Sequence, residues 1–234
     1  HENNALLQGG ITPSWYYKDD DWRIYFTPGI IAKRFTRQDD NELLPSGLVS
    51  IDRDYGNRAN WRLSASYSES TPSWETLSIE HRRTDYRTWI DAPAFVPRTR
   101  ILLSQFEYNY KRAIYQFFSS VKVNWSRNWN NATMDMTITD GNYYYNWIRH
   151  DTNSDDARLS ANLSKGWSSI HLKTNLSLSG NYSNGEQYSA GQSVSYRYVS
   201  YGFQPEIIFS PSWMEIDYKG DFAFNRSRMD GEWT

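Results

Sequence analysis

The sequence contains no cysteine among its 234 residues, which excludes disulfide bonds and thiolate metal sites. It also has no run of about 18 apolar residues, and this excludes a transmembrane helix. Its 25 lysine and arginine residues nearly balance 27 aspartate and glutamate residues, so the net charge of -2 gives no basic surface for nucleic acid. Nucleic acid is therefore not expected as a partner.

Signatures of catalysis and of metal binding are missing as well. None of the four histidines stands in an H-x-x-x-H or H-E-x-x-H spacing, and no G-x-S-x-G motif or glycine-rich phosphate loop occurs. The acidic segment at 151–162 resembles a calcium loop only in part, because Asp156 and Asn162 replace the diagnostic glycine and glutamate. We therefore expect no enzyme, no cofactor and no metal site.

Aromatic residues are abundant, at 17% of the chain, although the mean hydropathy is only -0.78. This combination is typical of a sheet with one apolar face and one face in water. In the segment 169–182, Leu172 and Leu178 alternate with Lys173 and Asn175, which predicts a strand of this kind. At about 3.3 Å per residue the predicted strand is roughly 40 Å long, much longer than the usual strand of about 5–6 residues.

The same alternation recurs along the chain, and no stretch sustains the spacing of apolar residues expected for a helix. The sequence therefore predicts an all-β fold with ten strands. The predicted strands cover 5–17, 22–35, 47–54, 60–70, 100–110, 113–138, 142–165, 169–182, 191–204 and 211–226.

The predicted connections alternate in length along the chain. Short turns are predicted at 18–21, 55–58, 111–112, 166–168 and 205–211. Longer excursions are predicted at 36–46, 71–99 and 183–190, and around the tip at 139–141. Short turns on one side and long loops on the other indicate an antiparallel up-and-down transmembrane β-barrel with long extracellular loops.

The hairpin formed by 113–138 and 142–165 has arms of about 25 residues, longer than a strand needs to cross roughly 30 Å of hydrocarbon. Its outer part, NYYYNW at 142–147, is expected to stand in water above the membrane. Tryptophan and tyrosine near strand ends, such as Trp61 and Tyr182, suggest the aromatic girdles of a membrane barrel. The alternative is that these rings cap the core of a soluble sandwich.

The stretch LLPSGLVSIDRDYGNRANWRLSASYSESTPSWETL at 43–77 resembles part of the TonB-dependent outer-membrane receptors and their barrel relatives. The residues that carry this resemblance are Tyr67, Ser68, Ser70, Pro72, Ser73 and Leu77. A second stretch, DARLSANLSKGWSSIHLKTNLSLSGNY at 156–182, resembles a strand–turn–strand unit of the same family. The resemblance extends over roughly 43–226, and its motifs are of low specificity.

The resemblance implies the barrel portion of a transporter that imports an oligosaccharide, a peptide or a metal chelate across the outer membrane of a Gram-negative bacterium. Receptors of this family have a plug domain and about 22 strands. We therefore expect 1–234 to be a barrel segment that lacks the plug domain and the closing strands. The implied partners are outer-membrane lipids, TonB and a surface-exposed substrate-binding lipoprotein.

Two groups of candidate site residues follow from this interpretation. Long loops on a rigid frame commonly carry binding residues, and aromatic rings and arginine bind sugars, peptides and carboxylates. The candidates for ligand binding are Trp74, Arg83, Tyr86, Arg87, Trp89, Tyr144 and Trp147. The candidates for lining the lumen are Lys122, Asn124, His171, Lys173, Glu215 and Asp217.

Three alternatives remain open from the sequence. The loop aromatics could pack against neighbouring loops or a partner lipoprotein instead of a substrate. The whole chain could be a soluble, aromatic-rich β-sandwich that binds carbohydrate, with strands of about 6–8 residues. It could also be a small outer-membrane barrel enzyme, which requires a cluster of catalytic residues at the rim that the sequence does not reveal.

Overall fold

The computed structural model of the chain describes residues 6–35, 40–78, 81–189, 191–230 and 232–233. Most of these residues are in strands. Within the described ranges, no helix has the length and apolar character needed to cross a membrane.

The described residues form seventeen strands, together with a short helix α1 and two 3-10 turns. The strands are β1 (Leu6–Ile11), β2 (Trp15–Lys18), β3 (Trp22–Phe35), β4 (Asp40–Tyr55), β5 (Ala59–Ser70), β6 (His81–Asp85), β7 (Thr88–Asp91), β8 (Thr99–Arg112), β9 (Phe117–Asn130), β10 (Thr133–Thr139), β11 (Asn142–Ile148), β12 (Thr152–Trp167), β13 (Leu172–Ser189), β14 (Gln192–Phe209), β15 (Ile216–Lys219), β16 (Phe222–Met229) and β17 (Glu232–Trp233). The helical elements are α1 (Trp74–Ser78) and the turns Ala113–Tyr115 and Ser168–Ile170.

Thirteen strands form one large sheet, here called the main sheet, in the order β1-β3-β4-β5-β8-β9-β12-β13-β14-β16-β17, with β2 paired to β3 and β15 to β14. Every pairing in this sheet is antiparallel. The order of the strands in space follows their order in the chain, which confirms the predicted all-β, antiparallel up-and-down architecture. The other four strands form a second sheet, the outer sheet, in the order β10-β11-β7-β6.

The connections of the main sheet lie at two ends. The turn end carries the connections β2–β3, β4–β5, β8–β9, β12–β13 and β14–β15, and the loop end carries the connections β5–β8 and β9–β12. The short turn predicted at 111–112 lies instead within β8, and the chain reverses at Ala113–Tyr115. Likewise, the strand predicted from residue 169 begins at Leu172, because Ser168–Ile170 forms the 3-10 turn.

The long excursions predicted at 36–46 and 183–190 are wrong at 40–46 and 183–189, and residues 36–39 and 190 lie outside the described residues. β3 remains paired with β4 as far as Phe35 opposite Asp40, and β13 and β14 are paired along all 18 residues of each strand. Serine, asparagine and glycine at 183–185 resemble a loop in the sequence. The backbone hydrogen bonds of the hairpin nevertheless continue through them.

Four predicted strands are divided in the structure. The strand predicted at 113–138 becomes β9 and β10, and the strand predicted at 142–165 becomes β11 and β12, because the tip of this hairpin leaves the main sheet and joins the outer sheet. The strand predicted at 5–17 becomes β1 and β2, with Pro13 between them, because proline has no N–H to donate to a neighbouring strand. The strand predicted at 211–226 becomes β15 and β16, which separate at Gly220. There the Gly220 N–H donates to the Pro205 carbonyl oxygen at 2.9 Å.

One face of the main sheet is apolar and exposed. A continuous row of residues, here called the apolar row, crosses nine strands in register: Ile24, Ile51, Leu63, Phe106, Val123, Leu159, Gly180, Tyr201 and Phe224. Exposure of its large side chains reaches 53% at Tyr201 and is 45% at Leu159. No second layer of the described chain covers this row, so the sheet turns its apolar face outward.

The opposite face of the main sheet is polar. Its central row contains Arg23, Asp52, Arg62, Glu107 and Lys122, which alternate along their strands with members of the apolar row. Side chains of the polar face line a cavity of about 720 Å³, here called the polar cavity, near the turn end. The cavity indicates that the polar face is the concave side of the sheet.

The buried apolar cluster lies at the loop end and not between layers of the main sheet. Phe35, Leu77 and Val96 are at most 4% exposed, and Leu6 packs against them. These residues come from the end of β3, from α1 and from the segment before β8. The connection between β5 and β8 therefore folds back onto the main sheet and is held there by an ordinary hydrophobic core.

Candidate functional site

The outer sheet joins two segments that are far apart in the sequence. β6 and β7 come from the connection between β5 and β8, whereas β10 and β11 form the tip of the hairpin between β9 and β12. The segments meet where β11 pairs in parallel with β7, so that Tyr144 lies opposite Trp89. The Tyr143 N–H also donates to the Arg87 carbonyl oxygen at 2.7 Å.

The hairpin tip lies where the sequence predicts it. Thr139 pairs with Asn142, and the two residues between them, Asp140 and Gly141, have φ values of 50° and 74°. Positive φ at both central residues defines a type I′ turn, for which Asp-Gly is a preferred sequence. The outer sheet thus begins from a tightly specified hairpin.

Five of the predicted ligand-binding residues lie on β6, β7 and β11 and in the turn between β6 and β7. Tyr144 lies beside Trp89, and Trp89 lies beside Arg83 on the same face of the outer sheet. The guanidinium carbon of Arg83 is 5.6 Å from the centre of the Trp89 ring. At the adjacent turn, the guanidinium carbon of Arg87 is 5.1 Å from the centre of the Tyr86 ring. Residues from two separate loops are thereby brought together.

Arg83 also fastens its own hairpin. Its Nε donates to the Asp85 carbonyl oxygen at 3.1 Å, and its Nη2 donates to the Tyr86 carbonyl oxygen. Two of the five guanidinium donors are therefore engaged inside the β6–β7 turn. The side chain of Tyr86 beside it is 65% exposed and is the most accessible ring of this group.

Trp147 lies on the opposite face of the outer sheet. The register places it beside Met134, while Met136 lies beside Tyr145. These four side chains line a cavity of about 630 Å³, here called the mouth cavity. The Trp147 Nε1–H is buried and has no hydrogen-bond partner among the described residues. The cavity therefore offers thioether and aromatic surfaces.

The far wall of the mouth cavity belongs to the loop end of the main sheet. It includes Ser70, Thr99 and Asn130 from the ends of three adjacent strands, and Tyr188 from β13. The Thr99 hydroxyl donates to Asn130 Oδ1 at 2.8 Å. Because Ser70, Thr99 and Asn130 belong to the polar face, the mouth cavity opens on the concave side of the main sheet.

Arg98 fixes the base of both excursions. Its side chain forms ion pairs with Glu69 and with Glu42, the latter at 3.4 Å. Its backbone N–H donates to Asn131 Oδ1 at 2.7 Å, and its carbonyl oxygen accepts from the Asn131 N–H at 3.1 Å. The sequence analysis did not identify Arg98, because its partners lie on strands distant along the chain.

A third cavity, of about 550 Å³, is lined by Phe95, Arg149 and His150 and also by Glu42 and Asn131, the partners of Arg98. The guanidinium carbon of Arg149 is 4.8 Å from the centre of the Phe95 ring. The His150 and Tyr188 rings are 4.8 Å apart between centres. Arginine and aromatic side chains thus lie on more than one side of the loop end.

The predicted lumen-lining residues occupy two kinds of position. Lys122, Asn124, Lys173 and Asp217 lie on the polar face of the main sheet. His171 has φ 53° and ends the Ser168–Ile170 turn, so it is not a strand residue as the alternation suggested. Glu215 lies in the connection before β15.

Sequence analysis missed a ladder of amide and hydroxyl groups across the polar cavity. Asn109 Nδ2 donates to Asn60 Oδ1 at 3.1 Å, and Ser177 Oγ donates to Asn162 Oδ1 at 2.9 Å. The Asn162 amide also donates to Ser120 Oγ at 3.4 Å. The signal in the sequence is asparagine or serine at alternate positions of several strands, but the pairing requires the register.

One predicted ligand-binding residue, Trp74, can be placed only in part. Trp74 begins α1, and its side chain lies outside the described residues. In the part of the chain that the structure describes, no three histidine, aspartate or glutamate side chains are grouped as metal ligands.

Comparison with known proteins finds no matching family model and no matching curated protein. Among solved structures, the chain is similar to the outer membrane transporter YddB from Escherichia coli, with 9% identity and a TM-score of 0.47, over 96% of this chain and 36% of that one. It is similar to the ferric-catecholate import receptor Fiu from Escherichia coli, with 7% identity, a TM-score of 0.44 and coverage of 96% and 46%.

A third similar structure is the alcaligin outer membrane receptor FauA from Bordetella pertussis, with 7% identity, a TM-score of 0.32 and coverage of 96% and 38%. The chain therefore spans less than half of the length of each of these proteins. Each of these three proteins is named as a transporter or a receptor.

Proposed function

We propose that this chain is the barrel portion of an outer-membrane transporter that imports a nutrient too large to diffuse passively. One observation carries the proposal: the main sheet turns a continuous apolar row outward and a polar face inward. Exposed apolar surfaces of this extent are unfavourable in water and are suited to a lipid environment.

The soluble sandwich is a weaker explanation of the same features. A sandwich requires two apolar faces packed together and was expected to have strands of about 6–8 residues. β13 and β14 instead have 18 residues each, and Phe106 and Val123 of the apolar row are 38% and 36% exposed. The described residues also contain no group of three potential metal-ligating side chains that would favour a metal-dependent outer-membrane enzyme.

In the proposed mechanism, the substrate first contacts the exposed side chains of the outer sheet, including Tyr86 and Arg87. It then enters the mouth cavity, where Trp147 and Tyr145 provide stacking surfaces. Passage follows the polar face, past Lys122 and the amide ladder of the polar cavity. An oligosaccharide, a peptide and a metal chelate are the three substrate classes proposed.

The resemblance to TonB-dependent receptors supplies the proposed partners. Outer-membrane lipids surround the apolar face, TonB energises uptake, and a surface-exposed lipoprotein delivers substrate to the outer sheet. The localisation that follows is the outer membrane of a Gram-negative bacterium.

Membrane extraction tests the barrel proposal directly. The full-length protein is expected to remain with the outer membrane after an alkaline carbonate wash and to require detergent for release. On a gel it is expected to migrate differently before and after boiling, because a folded barrel resists the detergent. Release by carbonate, together with solubility in the absence of detergent, would refute the proposal.

Uptake measurements test the proposed substrate path. Cells that produce the full-length protein are offered a linear maltoheptaose, a hexapeptide and a ferric tris-catecholate, each carrying a label. For the probe that is taken up, Y145A/W147A is expected to reduce the rate at least about tenfold, since two stacking surfaces are lost. The control W213A removes an exposed ring from the connection before β15 and is expected to have no effect. Equal rates in both variants would exclude the mouth cavity from the path.

A further inference from the structure

Basic side chains occur on the apolar face of the main sheet at its turn end. They are Arg53, Arg112 and Lys165, and each lies against aromatic rings. The guanidinium carbon of Arg53 is 4.6 Å from the centre of the Trp22 ring and 4.5 Å from that of Tyr55. These cations therefore face the same side as the apolar row and not the concave polar face.

Of these three cations, Arg112 and Lys165 lie close to each other. Both pair in register with Phe117, so two strand spacings of about 4.8 Å separate their backbones. Both side chains also lie over one ring: the Arg112 guanidinium carbon is 4.1 Å and Lys165 Nζ is 6.0 Å from the centre of the Tyr115 ring. Lys165 Nζ is in addition 5.6 Å from the centre of the Trp167 ring.

Hydrogen bonds between the adjacent turns hold this group in place. Lys165 Nζ donates to the Tyr115 carbonyl oxygen at 2.5 Å, and the Gly166 N–H donates to the Gln116 carbonyl oxygen at 2.9 Å. Gln116 Nε2 donates to Ser168 Oγ at 2.7 Å. Two N–H donors of the lysine ammonium remain available after its bond to Tyr115.

The charges of this group are not neutralised by the described chain. At the loop end of the same face, Arg127 lies 3.8 Å from the carboxylate of Asp155. Arg112 and Lys165, by contrast, form no ion pair with any carboxylate in the described residues. Two cations near one another therefore present positive charge on a face that is otherwise apolar.

Exposed apolar side chains stand next to the two cations. Ile114 is 92% exposed, Tyr115 53% and Ile170 52%, and all three lie in the adjoining turns. Cations beside exposed apolar and aromatic groups are typical of the membrane interface, where phosphate groups border the acyl chains. Water alone would satisfy the cations but would leave the apolar groups exposed.

We propose that Arg112 and Lys165 form a binding site for the phosphate group of an acidic membrane phospholipid in the leaflet at the turn end. The two side chains hold the phosphate, while Ile114 and Ile170 contact the adjoining glycerol and acyl region. This site rests on the proposed membrane placement of the main sheet. It differs from the substrate path, because both cations lie on the face opposite to the polar cavity.

Lipid titration tests the site. The full-length protein is purified in a nonionic detergent, freed of bound lipid and titrated with dioleoylphosphatidylglycerol, and the retained lipid is counted by native mass spectrometry. R112Q/K165Q is expected to bind this lipid about tenfold more weakly, since each cation near an acidic lipid contributes to the attraction. The control K111Q/R158Q removes two charges from the polar face of the same two strands, β8 and β12, and is expected to bind normally.

Further arms identify the ligand. Inorganic phosphate at the same concentration is expected not to displace the lipid, and dioleoylphosphatidylcholine is expected to be retained more weakly. Displacement by phosphate, equal retention of phosphatidylcholine, or unchanged binding in R112Q/K165Q would each overturn the proposal.

Folding of each variant is checked by its migration on a gel before and after boiling. R112K/K165R keeps both charges and is expected to retain the lipid, so a loss in R112Q/K165Q is not a general effect of substitution. If R112Q/K165Q does not fold, R112Q and K165Q are titrated singly, and normal binding by both overturns the proposal. A protein that is soluble without detergent would refute the membrane placement itself, which distinguishes that failure from the loss of this one site.

Discussion

The main sheet and the outer sheet bury their side chains in opposite ways. Leu159, in the middle of the main sheet, is 45% exposed on an outward apolar face. The outer sheet instead turns Met134 and Trp147 toward the mouth cavity inside the protein. The buried cluster of Phe35, Leu77 and Val96 likewise lies at the loop end.

This difference shows where each region obtains its stability. On the proposed membrane placement, the main sheet depends on its backbone hydrogen bonds and on an apolar medium outside the protein. The outer sheet and its base depend on contacts and ion pairs between side chains of the protein. The same kind of substitution is therefore expected to have different effects in the two regions.

The largest effect is expected from Leu159→Arg. On the proposed membrane placement, a charge at Leu159, in the middle of the apolar face, enters the hydrocarbon, which costs about 2–4 kcal/mol at the bilayer midplane. The free energy of unfolding is measured by urea titration of the protein in liposomes. Ser160→Arg, the next residue on the polar face, is the control and is expected to cost less than about 1 kcal/mol. Equal costs would contradict the assignment of the two faces.

A smaller effect is expected from Arg98→Ala. The side chain of Glu69 is only 7% exposed and would lose its ion pair with Arg98 at the base of the outer sheet. We expect a loss of about 2 kcal/mol, below the range for a fully buried pair because Arg98 is partly exposed. The measurement is the rate of trypsin cleavage in the β5–β8 connection, which is expected to increase.

The control for Arg98→Ala is Arg127→Ala, whose ion pair with Asp155 is more exposed and is expected to contribute less than about 1 kcal/mol. If the two variants were cleaved equally fast, the base of the outer sheet would not depend on Arg98.

Gly141→Ala is expected to cost about 1 kcal/mol. Gly141 has φ 74° in the type I′ turn, a conformation that a Cβ atom disfavours. The outer sheet is expected to have a lower thermal stability, which is measured as the loss of protease protection of β10 and β11 on heating. Gly47→Ala, at a position where an added Cβ atom meets nothing within 4 Å, is the control. A similar loss for both glycines would show that the turn conformation is not responsible.

The smallest effect on stability is expected from Trp147→Phe, which keeps an aromatic ring but removes the Nε1–H and part of the indole ring system. The Nε1–H has no hydrogen-bond partner among the described residues, so the loss comes from the smaller ring and should stay below about 1 kcal/mol. Uptake of the accepted probe is expected to fall about fivefold, because the stacking surface is smaller. Trp213→Phe provides the matched control. Unchanged uptake in both variants would show that the substrate does not stack on Trp147.

The period-two alternation predicted the main sheet well because apolar and polar residues lie on opposite faces of each strand. Leu172, Leu176 and Leu178 do lie on one face of β13, with Lys173 and Asn175 on the other. The same signal weakens in the outer half of β13, where Ser183, Asn184 and Gly185 continue the strand without any alternation of apolar and polar residues. This is why that part of the hairpin resembles a loop in the sequence.

The outer sheet could be predicted only in its parts. The Asp-Gly turn is local and readable, whereas the parallel pairing of Trp89 with Tyr144 joins residues that no local pattern relates. The interactions of Arg98 with Glu42, Glu69 and Asn131 are equally nonlocal. Sequence reasoning therefore identified the residue types of the candidate site but not which of them meet.

The parallel pairing between β7 and β11 has a mechanical consequence. Two excursions that share backbone hydrogen bonds cannot swing independently, so a pull on either one is transmitted to the other. A ligand that engages only the Tyr86 turn would thereby also shift Trp147 on the far strand. The two excursions would then move together when a ligand binds either of them.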